Sequence, residues 1–236
     1  MMVSALLLWS SIALAKPGRP AWPEAAVVVA PDGTRLEASI GLPARSKRGV
    51  LFLHQNGRNR EDWSGLAEAL LRDGNIVLSF DLRGHGAHRP TPPAELRRED
   101  YQAMQADVTA AVALLRAKGA ERVCIIGSEL GANLAINAGV ADPSVVSVVL
   151  LSPGADLKGI IAIDAVQRFA PRPLLIVASE DDLAGARAAT VLDSKAQGPH
   201  ELRMLEKAGR GVQMLMRSPA LEGDLVGWVG SRWLAQ

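Results

Sequence analysis

Short, wholly apolar runs alternate along this chain with longer stretches in which apolar residues recur every three or four positions. The runs are Val50-Leu51-Phe52-Leu53, Ile76-Val77-Leu78, Val123-Cys124-Ile125-Ile126, Val146 to Leu151 and Leu174-Leu175-Ile176-Val177. A last run, Glu201 to Leu205, is mixed. Strands that are apolar on both faces belong to a parallel sheet covered by helices. Ahead of them, Ala26 to Ala30 and Thr34 to Leu42 flank an Asp32-Gly33 turn and predict an opening β-hairpin. Among the periodic stretches, Tyr101, Met104, Val108, Val112 and Leu115 mark one buried helical face. Further helices are predicted at Arg60 to Arg72, Leu130 to Ala138, Leu183 to Ala196 and Ala220 to Leu234. Between Leu151 and Leu174 there is room for one helix, around Asp156 to Phe169. Lys16 to Pro23 forms a Pro-rich leader and Gly86 to Glu95 a Pro-rich loop, with no internal repeat and no interdomain linker.

The pattern is that of an α/β protein, and 236 residues suffice for one such domain. An apolar content of 48% with a net charge of +1 fits a folded globular chain. Lysine and arginine are scattered, which argues against a nucleic-acid partner. Cys124 is the single cysteine and sits in a predicted strand, so no intrachain disulfide can form. Asp181-Asp182 has no histidine or further carboxylate near it in sequence, and no metal or other cofactor is expected. Residues 1–15 read as a signal peptide, with an apolar stretch too short to span a bilayer and Ala13-Leu14-Ala15 as the cleavage site. The expectation is an exported protein, periplasmic or secreted, whose mature domain runs over 16–236 with no membrane span.

The candidate chemistry starts at Gly127-Ser128-Glu129-Leu130-Gly131, between an apolar run and a helical one. In the G-x-S-x-G elbow a sharp strand-to-helix turn lifts one side chain above the sheet, and flanking glycines leave room for the strained backbone. Only Glu129 has glycine two residues away on both sides, so Glu129 takes the tip and Ser128 falls one position early. Three further segments join this one. They are Leu53-His54-Gln55-Asn56-Gly57, Asp81-Leu82-Arg83-Gly84-His85-Gly86, and Ala178-Ser179-Glu180-Asp181-Asp182 at the end of the run from Pro173.

In this order and spacing the four segments resemble the α/β-hydrolase superfamily over nearly all the mature chain, and small bacterial esterase- and dienelactone-hydrolase-like members most closely. The resemblance implies a mostly parallel sheet with helices on both faces and, given the short Leu151–Leu174 interval, no lid. It implies that the loop after His54 supplies an oxyanion-hole N–H at Asn56, that Leu130 supplies another, and that Asp182 is the triad acid. His54, Gln55, Asn56, Ser128 and Leu130 become candidate ligand-binding residues. His54 and His85 are expected to be scaffold residues, and His88 to be solvated.

The family's catalytic histidine follows the last strand, and there this chain reads Lys207-Ala208-Gly209-Arg210-Gly211. Arginine, with a pKa above about 12, cannot serve as a general base near neutral pH. His200 enters that strand at its beginning, on the order of 20 Å from the Arg210 loop, and cannot deputise. A carboxylate at the tip can attack carbon, as in related dehalogenases and epoxide hydrolases, where histidine then activates water. Glu129, Asp182 and Arg210 are therefore expected to converge as a charge cluster at the triad-equivalent positions. The function expected from these substitutions is a catalytically degenerate protein that binds a small molecule in the old cleft or serves a structural role. The alternative is an active esterase or related hydrolase working through Ser128 or Glu129.

Overall fold

A computed structural model describes residues 22–88 and 96–233; the expected signal peptide and most of the Pro-rich leader lie outside them. The opening hairpin pairs β1, Glu24–Val29, with β2, Arg35–Gly41. The apolar runs become β3, Arg48–Leu53, β4, Ile76–Phe80, β5, Arg122–Ser128, β6, Val145–Leu151, and later β9, Leu174–Ser179. The mixed run becomes β10, His200–Leu205, at the far edge. The eight strands stand in the order β1-β2-β4-β3-β5-β6-β9-β10. Pairing is antiparallel from β1 to β4 through β2, and parallel from β4 onward.

Helices cover both faces because the central strands are buried on both. On one side lie α2, Arg98–Ala117, α3, Leu130–Ala141, and α5, Leu183–Lys195. On the other lie α1, Ser64–Arg72, and α7, Pro219–Arg232, reached through the short α6, Gln213–Arg217. Helix α3 is buried almost all round, since it packs over β5 and β6 and against α2 as well. Tyr101, Met104, Val108, Val112 and Leu115 are all buried, as their spacing demands.

Two expectations need correction. The predicted helix at Arg60 to Arg72 begins as a 3-10 turn over Arg60–Trp63 and becomes α-helical only at Ser64. Asn59 caps that turn by accepting from the amide of Glu61 at 3.0 Å. The single helix expected at Asp156 to Phe169 is instead a two-stranded ribbon followed by α4, Ile163–Arg168. The ribbon strands are β7, Asp156–Leu157, and β8, Ile160–Ile161, joined through Lys158 and Gly159 at φ 57° and 83°. Positive φ at two successive residues makes a tight hairpin turn, which an apolar pattern this short cannot announce. No lid domain interrupts the chain between β6 and β9. No helix among the described residues is long and apolar enough to cross a membrane.

Candidate active site

The parallel strands end together, and the backbone ladder runs past them. Glu129 N–H donates to Leu151 O, Ser152 N–H to Val177 O and Glu180 N–H to Leu205 O, each at 2.8 Å. The residues after β5, β6, β9 and β10 are therefore held side by side at the carboxyl edge, where open α/β sheets bind ligands.

Glu129 occupies the β5–α3 turn with φ 52° and ψ −110°. A side chain in such a region costs on the order of 1–3 kcal/mol and persists only where the surroundings enforce it. Here they do. A Cβ on Gly127 would run into the carbonyl of Gly131, and one on Gly131 into the carbonyl of Leu53. Strand β5, the start of α3 and the end of β3 can approach so closely only with glycine at both places.

The Glu129 carboxylate meets the guanidinium of Arg210 in an ion pair. Arg210 Nε lies 3.9 Å from Asp182 Oδ2. Glu129 and Asp182 keep 12% and 9% of their side-chain surface, whereas Arg210 keeps 46%. One half-exposed cation thus sits over two nearly buried carboxylates. Asp182 also caps α5, accepting from Gly185 N–H at 3.3 Å, while its Oδ2 has no hydrogen-bond partner among the described residues. Its neighbour Asp181 faces elsewhere. Hydrogen bonds from the Ser179 hydroxyl and the Gly209 amide hold the Asp181 carboxyl below the usual carboxylate range.

Ser128 is fully buried beside the turn, and its hydroxyl donates to Gln55 Oε1 at 3.2 Å. His54 is equally buried and has both ring nitrogens engaged. Nε2 accepts from Leu82 N–H at 2.9 Å and Nδ1 donates to Gln55 O at 2.8 Å. Burial pushes its pKa down to about 4. It is a neutral brace between the ends of β3 and β4, with no free nitrogen to take a proton from substrate. His85 is also buried, with Nδ1 on Arg83 O and Nε2 3.0 Å from Asn56 Oδ1. The amide of Leu130, first residue of α3, is one of the helix-start donors that have no acceptor within the helix. His200 lies on exposed β10 near Asp193.

Of the sequence-derived candidates, the structure brings Glu129, Asp182 and Arg210 together, and separately Gln55 and Ser128. It sets His54 behind them. Sequence reading missed Ser152, which follows β6 at φ 48° and accepts from Gly211 N–H at 2.9 Å. The only signal was a Ser-Pro-Gly turn at the end of an apolar run. It also gave no role to Arg60, which pairs with Asp81, and named Arg83 only within a motif, without its partner Asp107. Cys124 is buried, and burial pushes its thiol up to about 12. A cleft of about 700 Å³ opens over the loops after β3 and β4, lined among others by Asn56, Arg58, His85, Tyr101 and Lys158, and none of Glu129, Asp182 and Arg210 lines it. Asn56 borders this cleft two residues after the buried brace His54. No group of metal-ligating side chains occurs among the described residues.

Residues 50–233 match the family model described as "Alpha/beta hydrolase family". Among solved structures, a dienelactone hydrolase from Anabaena variabilis is 20% identical, with a TM-score of 0.73 over 92% of this chain and 98% of that one. An esterase from Pyrococcus furiosus is 18% identical, with a TM-score of 0.74 over 92% and 94%. The esterase domain of a Rhodothermus marinus protein is 20% identical, with a TM-score of 0.70 over 87% and 96%. At these identities the likeness establishes the fold. No curated protein sequence matches the chain.

The expectation of a catalytically degenerate protein is corrected by these findings. The matching family is one of hydrolases, and no feature of the geometry singles out an inert state. Nor is serine lacking from the buried framework. Ser79 lies on β4 opposite Ser39 and Phe52, its hydroxyl donating to Arg60 O at 3.0 Å, and Ser128 ends β5. An acyl intermediate can form on a carboxylate as well as on a serine, and backbone donors stabilise its oxyanion whichever group attacks.

Proposed function

Because the chain belongs to the alpha/beta hydrolase family, we propose that it is an active hydrolase of esters with an acidic leaving group, using Glu129 as its nucleophile. The observation that carries this reading is Glu129 on the strained β5–α3 turn, its carboxylate against Arg210, while His54 is locked neutral.

An ionised carboxylate needs no base before it attacks. A Glu129 oxygen adds to the ester carbonyl carbon, and the carbonyl π pair moves to oxygen. The resulting oxyanion takes hydrogen bonds from the amides of Leu130 and Asn56. Collapse breaks the bond to the leaving oxygen, which departs with its electron pair. That step is efficient only for a weakly basic leaving group, because the carboxylate is itself a good one. Aryl and enol esters meet this requirement, and simple alkyl esters do not. The structures of like fold include a dienelactone hydrolase and an esterase, each named for ester hydrolysis.

The intermediate is a mixed anhydride on Glu129. Water adds to its acyl carbon, the Glu129 carboxylate leaves, and a proton passes to solvent. An anhydride is reactive enough to hydrolyse without a histidine, unlike the alkyl ester formed in dehalogenase chemistry. Arg210 supplies a fixed cation beside the departing anion, the role open to a group that cannot accept a proton.

The test is turnover of 4-nitrophenyl acetate against ethyl acetate, with hydroxylamine present in a parallel reaction. Expected are hydrolysis of the activated ester only, loss of turnover in Glu129→Gln, at most a partial loss in Ser128→Ala, where Gln55 keeps its bond to Val212, and a hydroxamate on the peptide containing Glu129. Turnover that survives Glu129→Gln and vanishes in Ser128→Ala would move the reaction to serine. Absence of turnover with every activated ester would reject the reading.

A further inference from the structure

The loop that carries Arg210 does not hold itself up. Strand β10 ends at Leu205, and the chain then turns through positive φ at Lys207, Gly209 and Gly211. Five consecutive amides follow, and each donates to a side chain. Ala208 N–H meets Ser179 Oγ at 2.8 Å and Gly209 N–H meets Asp181 Oδ1 at 3.0 Å. Arg210 N–H meets Gln213 Oε1 at 3.4 Å, Gly211 N–H meets Ser152 Oγ at 2.9 Å, and Val212 N–H meets Gln55 Oε1 at 3.4 Å. Four of those side chains come from outside the loop, from the ends of β3, β6 and β9.

The fit is close at Gly211. A Cβ there would collide with Gln55 Oε1 and with Ser128 Oγ. Ser128 donates to the same Gln55 oxygen, so that oxygen accepts from Ser128 and Val212 together. This fixes the orientation of the Gln55 amide, because only the oxygen can accept both hydrogens. Gln55 also precedes Asn56, so one side chain ties the loop of the oxyanion donor to the loop of the arginine.

We infer that Gln55 and Ser152 are positioning residues whose hydrogen bonds to Val212 and Gly211 suspend the loop so that Arg210 stays over Glu129. Ser128 then serves by orienting Gln55. The inference rests on the reading of Glu129 and Arg210 as the reacting pair, though the suspension itself is measurable without any reaction. A buried amide deprived of its acceptor must find another or face water, and a loop with left-handed residues at three places has no helix or ladder to fall back on.

The experiment uses the full folded chain and compares wild type with Gln55→Leu, Ser152→Ala, Arg210→Ala and the Gln55→Leu/Arg210→Ala double variant. Amide hydrogen exchange at Gly211 and Val212 is read first. Each single loss of acceptor is expected to speed exchange at its own amide by roughly tenfold, and Gln55→Glu, which keeps an acceptor, to restore much of the protection at Val212. Turnover of 4-nitrophenyl acetate is read second. In Gln55→Leu kcat is expected to fall towards that of Arg210→Ala with KM little changed, and the double variant to fall no further. Unchanged exchange in variants whose circular dichroism matches wild type would overturn the suspension. Faster exchange with fully additive losses of kcat would overturn the positioning role. Wild type without activity would reject the hydrolase reading, with exchange still deciding whether the loop is suspended. Should Gln55→Leu fail to fold, Ser152→Ala carries the same comparison at Gly211.

Discussion

Asp81 at the end of β4 and Asp182 beyond the end of β9 each face an arginine, and the two sites are built in opposite ways. Asp81 is fully buried. It accepts from Arg60 N–H at 2.8 Å and Ala87 N–H at 2.9 Å and pairs with the Arg60 guanidinium, which keeps only 20% of its surface. Even a Cβ on Gly86 would strike its carboxyl group. Asp182 keeps one oxygen without a hydrogen bond among the described residues, and its arginine stands half in solvent, also paired with Glu129 on a strained turn. A saturated buried pair braces loops. A buried carboxylate oxygen without a hydrogen bond among the described residues, under a half-exposed cation, braces nothing comparable. The same two residue types therefore form a saturated brace at one strand end and an incompletely bonded, partly exposed cluster at another.

The difference should be largest in stability. Asp81→Ala leaves the Arg60 guanidinium only the exposed Glu37 and deprives two amides of their acceptor, and is expected to cost about 3–5 kcal/mol in urea unfolding. A loss as large from Asp182→Ala would erase the distinction between the two sites.

The brace beside Asp81 adds a pH dependence of known sign. His54 has an ordinary pKa of 6.5 in the unfolded chain and about 4 when folded, because burial disfavours its charged form. Between those values the unfolded state binds more protons, so stability rises with pH there. The contribution is complete above about 6.5 and is lost as pH falls through the folded value, a change of roughly 3 kcal/mol. Urea unfolding of His54→Gln should show a flatter decline over this window than wild type. An equal decline would mean that other groups govern it.

At the charge cluster the effects should be smaller. Arg210→Ala is expected to lower stability by about 1 kcal/mol, since a half-exposed guanidinium is screened by solvent. Glu129→Gln should cost less, because it leaves no pair of like charges behind. Melting temperatures in the reverse order would mean that Arg210 does not hold the two carboxylates apart. Smallest of all, Asp182→Asn keeps the oxygen that caps α5 and should change stability by no more than about 0.5 kcal/mol. A clear loss there would make Asp182 as structural as Asp81.

Much of this molecule was legible in the residues alone. Runs such as Val123-Cys124-Ile125-Ile126 are apolar on both faces, and only a parallel sheet clad in helices hides such strands. The spacing of Gly127, Glu129 and Gly131 announced a crowded turn, because two backbones meet there that tolerate no Cβ. The convergence of Glu129, Asp182 and Arg210 followed from the resemblance to the α/β-hydrolase superfamily, which says which strand ends are neighbours. Tertiary structure decided the rest. The ribbon at β7 and β8 depends on backbone angles at Lys158 and Gly159 that no apolar pattern encodes. Ser152, Gln55 and Ser179 lie far apart in sequence from the loop they hold, and a serine or glutamine carries no mark of the amide it will accept from. His54 was expected to be scaffold, but that it would join Leu82 N–H and Gln55 O was decided only by the fold. Apolar periodicity is a local property of the chain, whereas the partner of a buried polar group is chosen only when distant segments meet.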